Sequence, residues 1–514
     1  MLQQHSSSTC RSKVSSGNIF NYSKADWLGL EDSFLDADFS HCYSLPDVNS
    51  MWRCIKEIIL QGCHQFIPKA HTKKSHLPRW FTPAIRHSLN KVRTLRRRVL
   101  ASHYPSSLVS KLHKMESSLQ SQICATKKAY EFDLIKNSLH NKRKLFKQIK
   151  SFTKNVSLPP RVNWNHLSSS DPMEKCELFN RFFNLVFVNS SYSLPDLSCL
   201  PIPSHQLNLI SFTESDVWTV LASLDPDKAN GLDNIGPRLL KQCATPLAAP
   251  LSILFNECIS QGFVPDDWKI HRMVPVFKSG DKTDVTNYRP ISLLSSTSKV
   301  LESLIFQKII DFIRPQISLH QFGFLSNRSC LHKLLMLLYS IVSALDRKYQ
   351  TDVIFLDIRK AFDTVCHKQL LFKLSLIGIS GPLWSWFQSY LSNRSHMVRV
   401  DGWESNCLPV RSGVPQGSIL GPLLFLVYIN DMAPTVTFSK MQLYADDTQC
   451  IKDIHSRSDS DLLQDDLDQL SNWSSIREMD FNTDKCVSMS FGKAVHHSTY
   501  IYPEQICSQI CHGT

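Results

Sequence analysis

Residues 353–363 read VIFLDIRKAFD and residues 442–450 read QLYADDTQC. In the first, a β-branched and apolar run drives straight into Asp357, which predicts a buried strand ending on a carboxylate. In the second, apolar residues flank two adjacent acids, Asp446 and Asp447, as expected at the tip of a tight hairpin. A charge at the end of a buried strand is costly unless paired, and neighbouring like charges repel. An isolated Asp-Asp pair would ordinarily be a solvated turn. Here Asp446 follows Asp357 by 89 residues and lies in strand-like sequence. The pattern makes sense if the two strands are neighbours in one sheet and the acids share divalent cations. Magnesium takes one or two protein carboxylates plus substrate phosphates, and paired ions about 3.5–4 Å apart stabilise both oxygens of an in-line phosphoryl displacement.

Working outward, short strand-like runs (Met273–Phe277, Val353–Ile358, Met441–Tyr444) alternate with helical segments (Leu331–Asp346, Leu420–Asp431). The expected fold is α+β, an antiparallel sheet packed on one face by helices. Residues 189–205, NSSYSLPDLSCLPIPSH, interrupt any regular element and mark a boundary. Upstream, Leu89, Val92, Leu95 and Val99 recur at helical spacing between arginines and lysines, which reads as a pair of basic helices. The predicted organisation is a weakly ordered lead-in (1–65), a basic helical linker region (66–188), a Ser/Pro-rich linker (189–210), the α+β domain (211–495) and a frayed tail (496–514).

Of the 514 residues, 42% are hydrophobic and 20% charged, the composition of an ordinary globular protein. The formal net charge is +12, and residues 69–154 hold 21 lysines and arginines against 3 acids, leaving the rest of the chain net acidic. That asymmetry fits a segment that neutralises phosphates. Sixteen cysteines lie scattered behind a polar N-terminus, without zinc-ribbon spacing, which favours a reducing, intracellular setting. No apolar run approaches the roughly 20 residues needed to span a bilayer.

YADD at 444–447, FLDIRKAFD at 355–363 and SGVPQGSILGPLLFLVYIND at 412–431 resemble the reverse transcriptases of non-LTR (LINE-type) retrotransposons, the jockey-like group above all. The likeness runs from about Ser211 to Met489 in the family's order. It includes KANGLDNIGPRLLK at 228–241, VPVFKSGD and NYRPISLL between 274 and 294, HQFGFLSNRS at 320–329 and FNTDKCVSMSFG at 481–492. The resemblance implies right-hand polymerase fingers and palm, and an RNA-directed DNA polymerase that transfers nucleotides from dNTPs to a primer 3′-OH.

The same resemblance assigns roles. Asp357 and Asp446 would be the principal ligands of two Mg²⁺ ions (or Mn²⁺), with Asp447 a supporting charge and metal ligand. Lys278 and Arg289 would clamp the triphosphate, and Phe362 would stack under the incoming sugar and exclude a 2′-hydroxyl. In GVPQG, Gly413 and Gly417 would let backbone approach a ligand while Gln416 offers its amide to nucleotide or template. Lys485 would be the acid near the departing pyrophosphate, with a structural salt bridge as its rival role. The aromatics Tyr444 and Phe324 could meet primer or template, with core packing the rival role for Phe324. The implied partners are an RNA template, a DNA primer or target, and dNTPs, with no membrane, an open oligomeric state, and nucleus or cytoplasm as the location.

Against the family's commoner pattern, Cys366 stands in AFDTVCH where an acid is usual and Leu232 where proline is usual. The family's upstream endonuclease and downstream thumb are expected to be largely missing here. The alternative function is therefore a catalytically inactive nucleic-acid-binding fragment. An RNA-dependent RNA polymerase is a weaker third reading.

Overall fold

The computed structural model describes residues 20–69, 80–102, 104–138, 158–195, 205–492, 499–501 and 508–511, with Pro78 and Pro203. They fall into two compact units, His71–Pro159 on one hand and Met1–Ala70 with Pro160–Thr514 on the other.

The smaller unit is a helical pair, Pro83–Ala101 and Ser106–Ser138. Thr82 caps the first by accepting from the Ile85 amide, and Pro83 occupies the first turn, where its missing N–H costs nothing. Ile85 and Val92 pack against Leu119, with Leu89, Leu112, Met115 and Ile123 at the margins. The stripe read from the sequence is thus the seam, and the basic residues are left on the other faces. The unit ends at residue 159, so the basic region expected over 66–188 was drawn too long: residues 160–188 belong to the larger unit. There β1 (Val162–Trp164) and β2 (Leu167–Ser169) form a hairpin, and the helix Pro172–Leu185 packs on the second sheet described below.

The larger unit holds two five-stranded sheets. Its remaining strands are β3 (Ile270–Phe277), β4 (Tyr288–Leu293), β5 (Gln350–Asp357), β6 (Ser395–Val400), β7 (Trp403–Glu404), β8 (Leu408–Pro409), β9 (Lys440–Tyr444), β10 (Asp447–Ile454), β11 (Val487–Phe491) and β12 (Ser508–Cys511). The carboxylate-bearing sheet has the order β12-β11-β5-β10-β9, antiparallel except that β12 runs parallel to β11. The second sheet, β4-β3-β6-β7 with β8 also on β6, joins the β3/β4 hairpin to a parallel β3/β6 pair.

Helices cover both faces of the first sheet, where the sequence suggested one. Leu337 and Ile341 of the helix Cys330–Asp346 press on Val353 and Ile451, while Ile354, Leu356 and Cys450 face the main core. Burial on both sides explains why β5 reads as a continuous apolar run. The helix Gly421–Ile429 is apolar all round and buried along its length, the packing element that its sequence suggests.

Three further expectations give way. The supposed lead-in is built into the main core as the helices Trp27–Leu35, Ser40–Tyr43 and Val48–Phe66. Trp52 meets Trp268 edge-on at 5.1 Å, and Lys56 pairs with Asp267 at 2.6 Å. The tail is anchored, since the buried Tyr500 hydroxyl donates to Asp352 at 2.6 Å and β12 extends the sheet. Along the Ser/Pro-rich linker, Ser191 bonds Glu478 and Tyr192 packs on the core, whereas residues 196–202 lie outside the described residues. No described helix is long and apolar enough to cross a membrane.

Candidate active site

Strand register brings the acids together. Asp447, the first residue of β10, pairs with Asp357, the last residue of β5, and Ala445 and Asp446 form the two-residue turn between β9 and β10. The turn is tight because Ala445 takes φ 55°, a left-handed conformation unusual for a residue with a side chain. Its neighbours hold it there. The buried Gln321 accepts from both the Ala445 and Gly323 amides at 2.8 Å, and a Cβ on Gly323 would lie 2.5 Å from the Ala445 nitrogen. The glycine of HQFGF thus provides the close approach that seats the turn.

Burial raises the Asp446 carboxyl above its ordinary range, and the neighbouring charges of Asp447 and Asp357 push the same way. Lys485 donates to Asp357 at 2.6 Å, with Asn482 alongside at 3.4 Å. The oxygens of the three aspartates do not all come within 4.8 Å of one another. The hard-oxygen donor set and the mutual repulsion at Asp446 nevertheless suit a divalent cation, which would relieve the like-charge crowding. Lys333, buried in the helix Cys330–Asp346, donates to the Asp447 carbonyl at 2.9 Å and so fixes the start of β10.

Three cations, Lys278, Arg289 and Lys485, lie against these acids, and a fourth, Lys360, adjoins them. Burial lowers Lys278, and Lys485 and Arg289 lower it further, against the pull of Asp357 and Asp446. Lys360 is likewise lowered by burial and by Lys278, Arg289 and Lys485, against the opposing charge of Asp363. Lys278 and Arg289 are placed by the β3/β4 hairpin, in which Arg289 pairs with Val276 and the Lys278 amide bonds the Asn287 carbonyl. Lys360 was not picked out from the sequence. Its backbone sits at φ 50° and its ammonium lies 5.2 Å from the centre of the Phe182 ring. A lysine between an arginine and an alanine carries no periodicity, so only the fold reveals its company.

The GVPQG loop packs on the short helix Ala361–Thr364. Gly413 takes φ 86° and Val414 donates to the Phe362 carbonyl at 2.8 Å. Gly417, at φ 121°, presses on the Ser292 carbonyl of β4. These glycines therefore let backbone approach backbone. The Gln416 amide nitrogen, expected to face nucleotide or template, donates instead to both oxygens of Asp363 at 3.1 and 3.2 Å. Phe362 stacks on Phe425 at 4.7 Å and meets Phe324 edge-on at 6.0 Å, half-buried beside the acids' strand. Phe324 is 49% exposed, so core packing is not its role.

Burial raises Asp363 to about 6, with Lys360 and Gln416 opposing. Because this folded value exceeds the ordinary 3.8, the folded state holds the extra proton between those limits. Its contribution is fully present below about pH 4 and is lost as pH rises through 6, by roughly 3 kcal/mol if nothing compensates. Asp363→Asn is expected to flatten that dependence. Urea unfolding at pH 4.5 and pH 7.5 checks it, since the wild type should lose more stability between the two than the variant.

Residues 278–504 match the family model described as reverse transcriptase (RNA-dependent DNA polymerase). The chain is 29% identical over 364 residues to the RNA-directed DNA polymerase from mobile element jockey of Drosophila melanogaster, covering 64% of this chain and 39% of that protein. It is 32% identical over 259 residues to the probable RNA-directed DNA polymerase from transposon BS of the same fly, covering 50% and 28%. For the corresponding X-element protein the identity is 32% over 305 residues, covering 57% and 33%. The chain thus spans less than two-fifths of the length of these relatives.

Proposed function

We propose that the chain, whose residues 278–504 match the reverse transcriptase family model and which is similar to the jockey and BS polymerases, is a LINE-type RNA-directed DNA polymerase acting at the Asp357/Asp446/Asp447 site. The carrying observation is the register that sets Asp357 against Asp447, with Asp446 in the adjoining turn and Lys278, Arg289 and Lys485 beside them. Asp357 and Asp446, supported by Asp447, would hold two Mg²⁺ ions, which lower the pKa of a bound hydroxyl and neutralise charge on the transferring phosphate.

The chain's own residues do the rest. Lys278, Arg289 and Lys360 crowd one another's charge, a cost that a bound triphosphate offsets, and the planar Arg289 fork suits bidentate phosphate contact. Lys485, ion-paired with Asp357 at 2.6 Å, would serve as the acid toward the departing pyrophosphate. Gln416, bonded to Asp363, and Gly417, against β4, would shape the loop that meets the nucleotide. The template would be RNA and the primer DNA.

Phe362, wedged between Phe425 and Phe324, would carry the sugar discrimination. Phe362→Val is expected to raise ribonucleotide incorporation relative to deoxynucleotide by at least about tenfold, the equivalent of roughly 1.4 kcal/mol. An unchanged ratio would remove Phe362 from that role.

The reading as a whole is tested by primer extension on poly(rA)/oligo(dT) with Mg²⁺ and dTTP. Extension by the wild type, absent in the Asp446→Asn/Asp447→Asn double variant, supports it. No extension by either, with salt-sensitive RNA binding retained, would make the chain a nucleic-acid-binding fragment.

A further inference from the structure

The turn between the helices Ser40–Tyr43 and Val48–Phe66 brings together His41, Cys42 and Cys54. The two cysteines are joined as a disulfide, Cys42 fully buried and Cys54 partly so, while the His41 ring stands exposed beside them. Its Nε2 lies 3.1 Å from the Cys54 sulfur and 3.8 Å from that of Cys42. The other ring nitrogen, Nδ1, is 3.1 Å from the Asp38 carbonyl. A carbonyl can only accept, so Nδ1 carries the hydrogen and Nε2 presents its lone pair to both sulfurs.

That is how a metal-binding histidine is held: the nitrogen away from the ion donates to a backbone carbonyl, which fixes tautomer and ring orientation. A disulfide needs no such group beside it. Among the described residues these three are the one set of His, Cys, Asp or Glu donors whose ligand atoms all lie within 4.8 Å of one another. Ten other cysteines in the described residues are free thiols, the pattern of a reducing compartment.

We propose that in the reduced protein His41 Nε2, Cys42 Sγ and Cys54 Sγ form a zinc site, with water in the fourth position on the exposed side. A dithiol reductant supplies two electrons and two protons to open the S–S bond and is itself oxidised to a disulfide. Zinc then displaces both thiol protons to solvent, forming two Zn–S bonds and one Zn–N bond. With Zn–S bonds of 2.3 Å in tetrahedral geometry, the sulfurs must separate to about 3.8 Å. The ion would tie Ser40–Tyr43 to the helix whose Trp52 supports Trp268, two residues before β3 begins. The site would brace the base of the hairpin that carries Lys278.

The test uses the full chain purified anaerobically with a dithiol reductant, alongside Cys42→Ser/Cys54→Ser and His41→Ala. Bound zinc is measured by elemental analysis, and substitution with Co²⁺ is followed by absorption. The wild type should hold one equivalent of zinc more than the double cysteine variant and show a thiolate-to-cobalt charge-transfer band that the variant lacks. Carboxylate-bound cobalt gives no such band. His41→Ala, at an exposed position that should not disturb folding, should weaken zinc binding at least tenfold. Equal zinc in wild type and double variant would overturn the proposal. So would a Cys42–Cys54 disulfide that persists, by mass, under the reductant.

Discussion

Asp446→Asn should lower primer extension by on the order of a thousandfold, about 4 kcal/mol of transition-state stabilisation, without unfolding the protein. The two halves of that expectation have separate physical grounds. Catalytically, the amide keeps the shape of the carboxylate but removes the charge that would anchor a cation between primer and triphosphate. Structurally, burial already penalises the ionised form of Asp446, and Asp447 and Asp357 repel it. Removing that charge relieves the turn, so the thermal midpoint should stay level or rise while activity collapses. Primer extension and thermal melting of the same preparation provide the check. A fall in both together would mean that the carboxylate holds the hairpin rather than the chemistry.

Gly413→Ala should be among the damaging single methyls that can be added near the site. The residue sits at φ 86°, where a Cβ is strained whatever the space, and the added carbon would lie 2.8 Å from the Phe362 carbonyl oxygen and from the Asp363 Cα and carbonyl oxygen. All three are backbone atoms, so no side chain can swing aside. Either the GVPQG loop or the turn after β5 must move. Strain of this kind costs about 1–3 kcal/mol before any displacement is counted. The displacement would carry Phe362, Asp363 and Lys360 with it. Loss of most extension activity is expected, with the urea midpoint lowered at an unchanged slope. A variant with wild-type activity and midpoint would show that the loop accommodates a side chain there.

How far the sequence led differs between the two halves of the site. The acids were legible because an apolar run that stops on a carboxylate, and a second that turns on two of them, have few other uses. Their register, Asp447 opposite Asp357, follows once the strands pair. The supporting residues were hidden, because each acts across the fold. Lys360 matters through Lys278 and Arg289, more than 70 residues earlier, Lys333 through the Asp447 carbonyl, and Gln416 through Asp363. Local pattern cannot say which neighbour an amide will find, so the Gln416–Asp363 bond had no sequence signal. The N-terminal helices were misread for a related reason. Met51, Trp52, Ile55 and Ile59 do recur at helical spacing, yet much of what they bury against lies beyond residue 240. A short amphipathic helix among serines gives no hint that its partner is so distant.

The same distance sets the order of events on the ribosome. Trp268 is translated 216 residues after Trp52, which at roughly 5–20 residues per second is a wait of about 10–40 s. During that interval the apolar face of Val48–Phe66 has no tryptophan to close on, although the basic helical pair, complete by residue 138, can already have folded. The nascent chain therefore emerges with Val48–Phe66 able to pack on the helices that precede it, Trp27–Leu35 and Ser40–Tyr43, but not yet on its later partners, and with a finished cationic unit behind it. That arrangement leaves the side of Val48–Phe66 that closes on Trp268 open until the later helix is made.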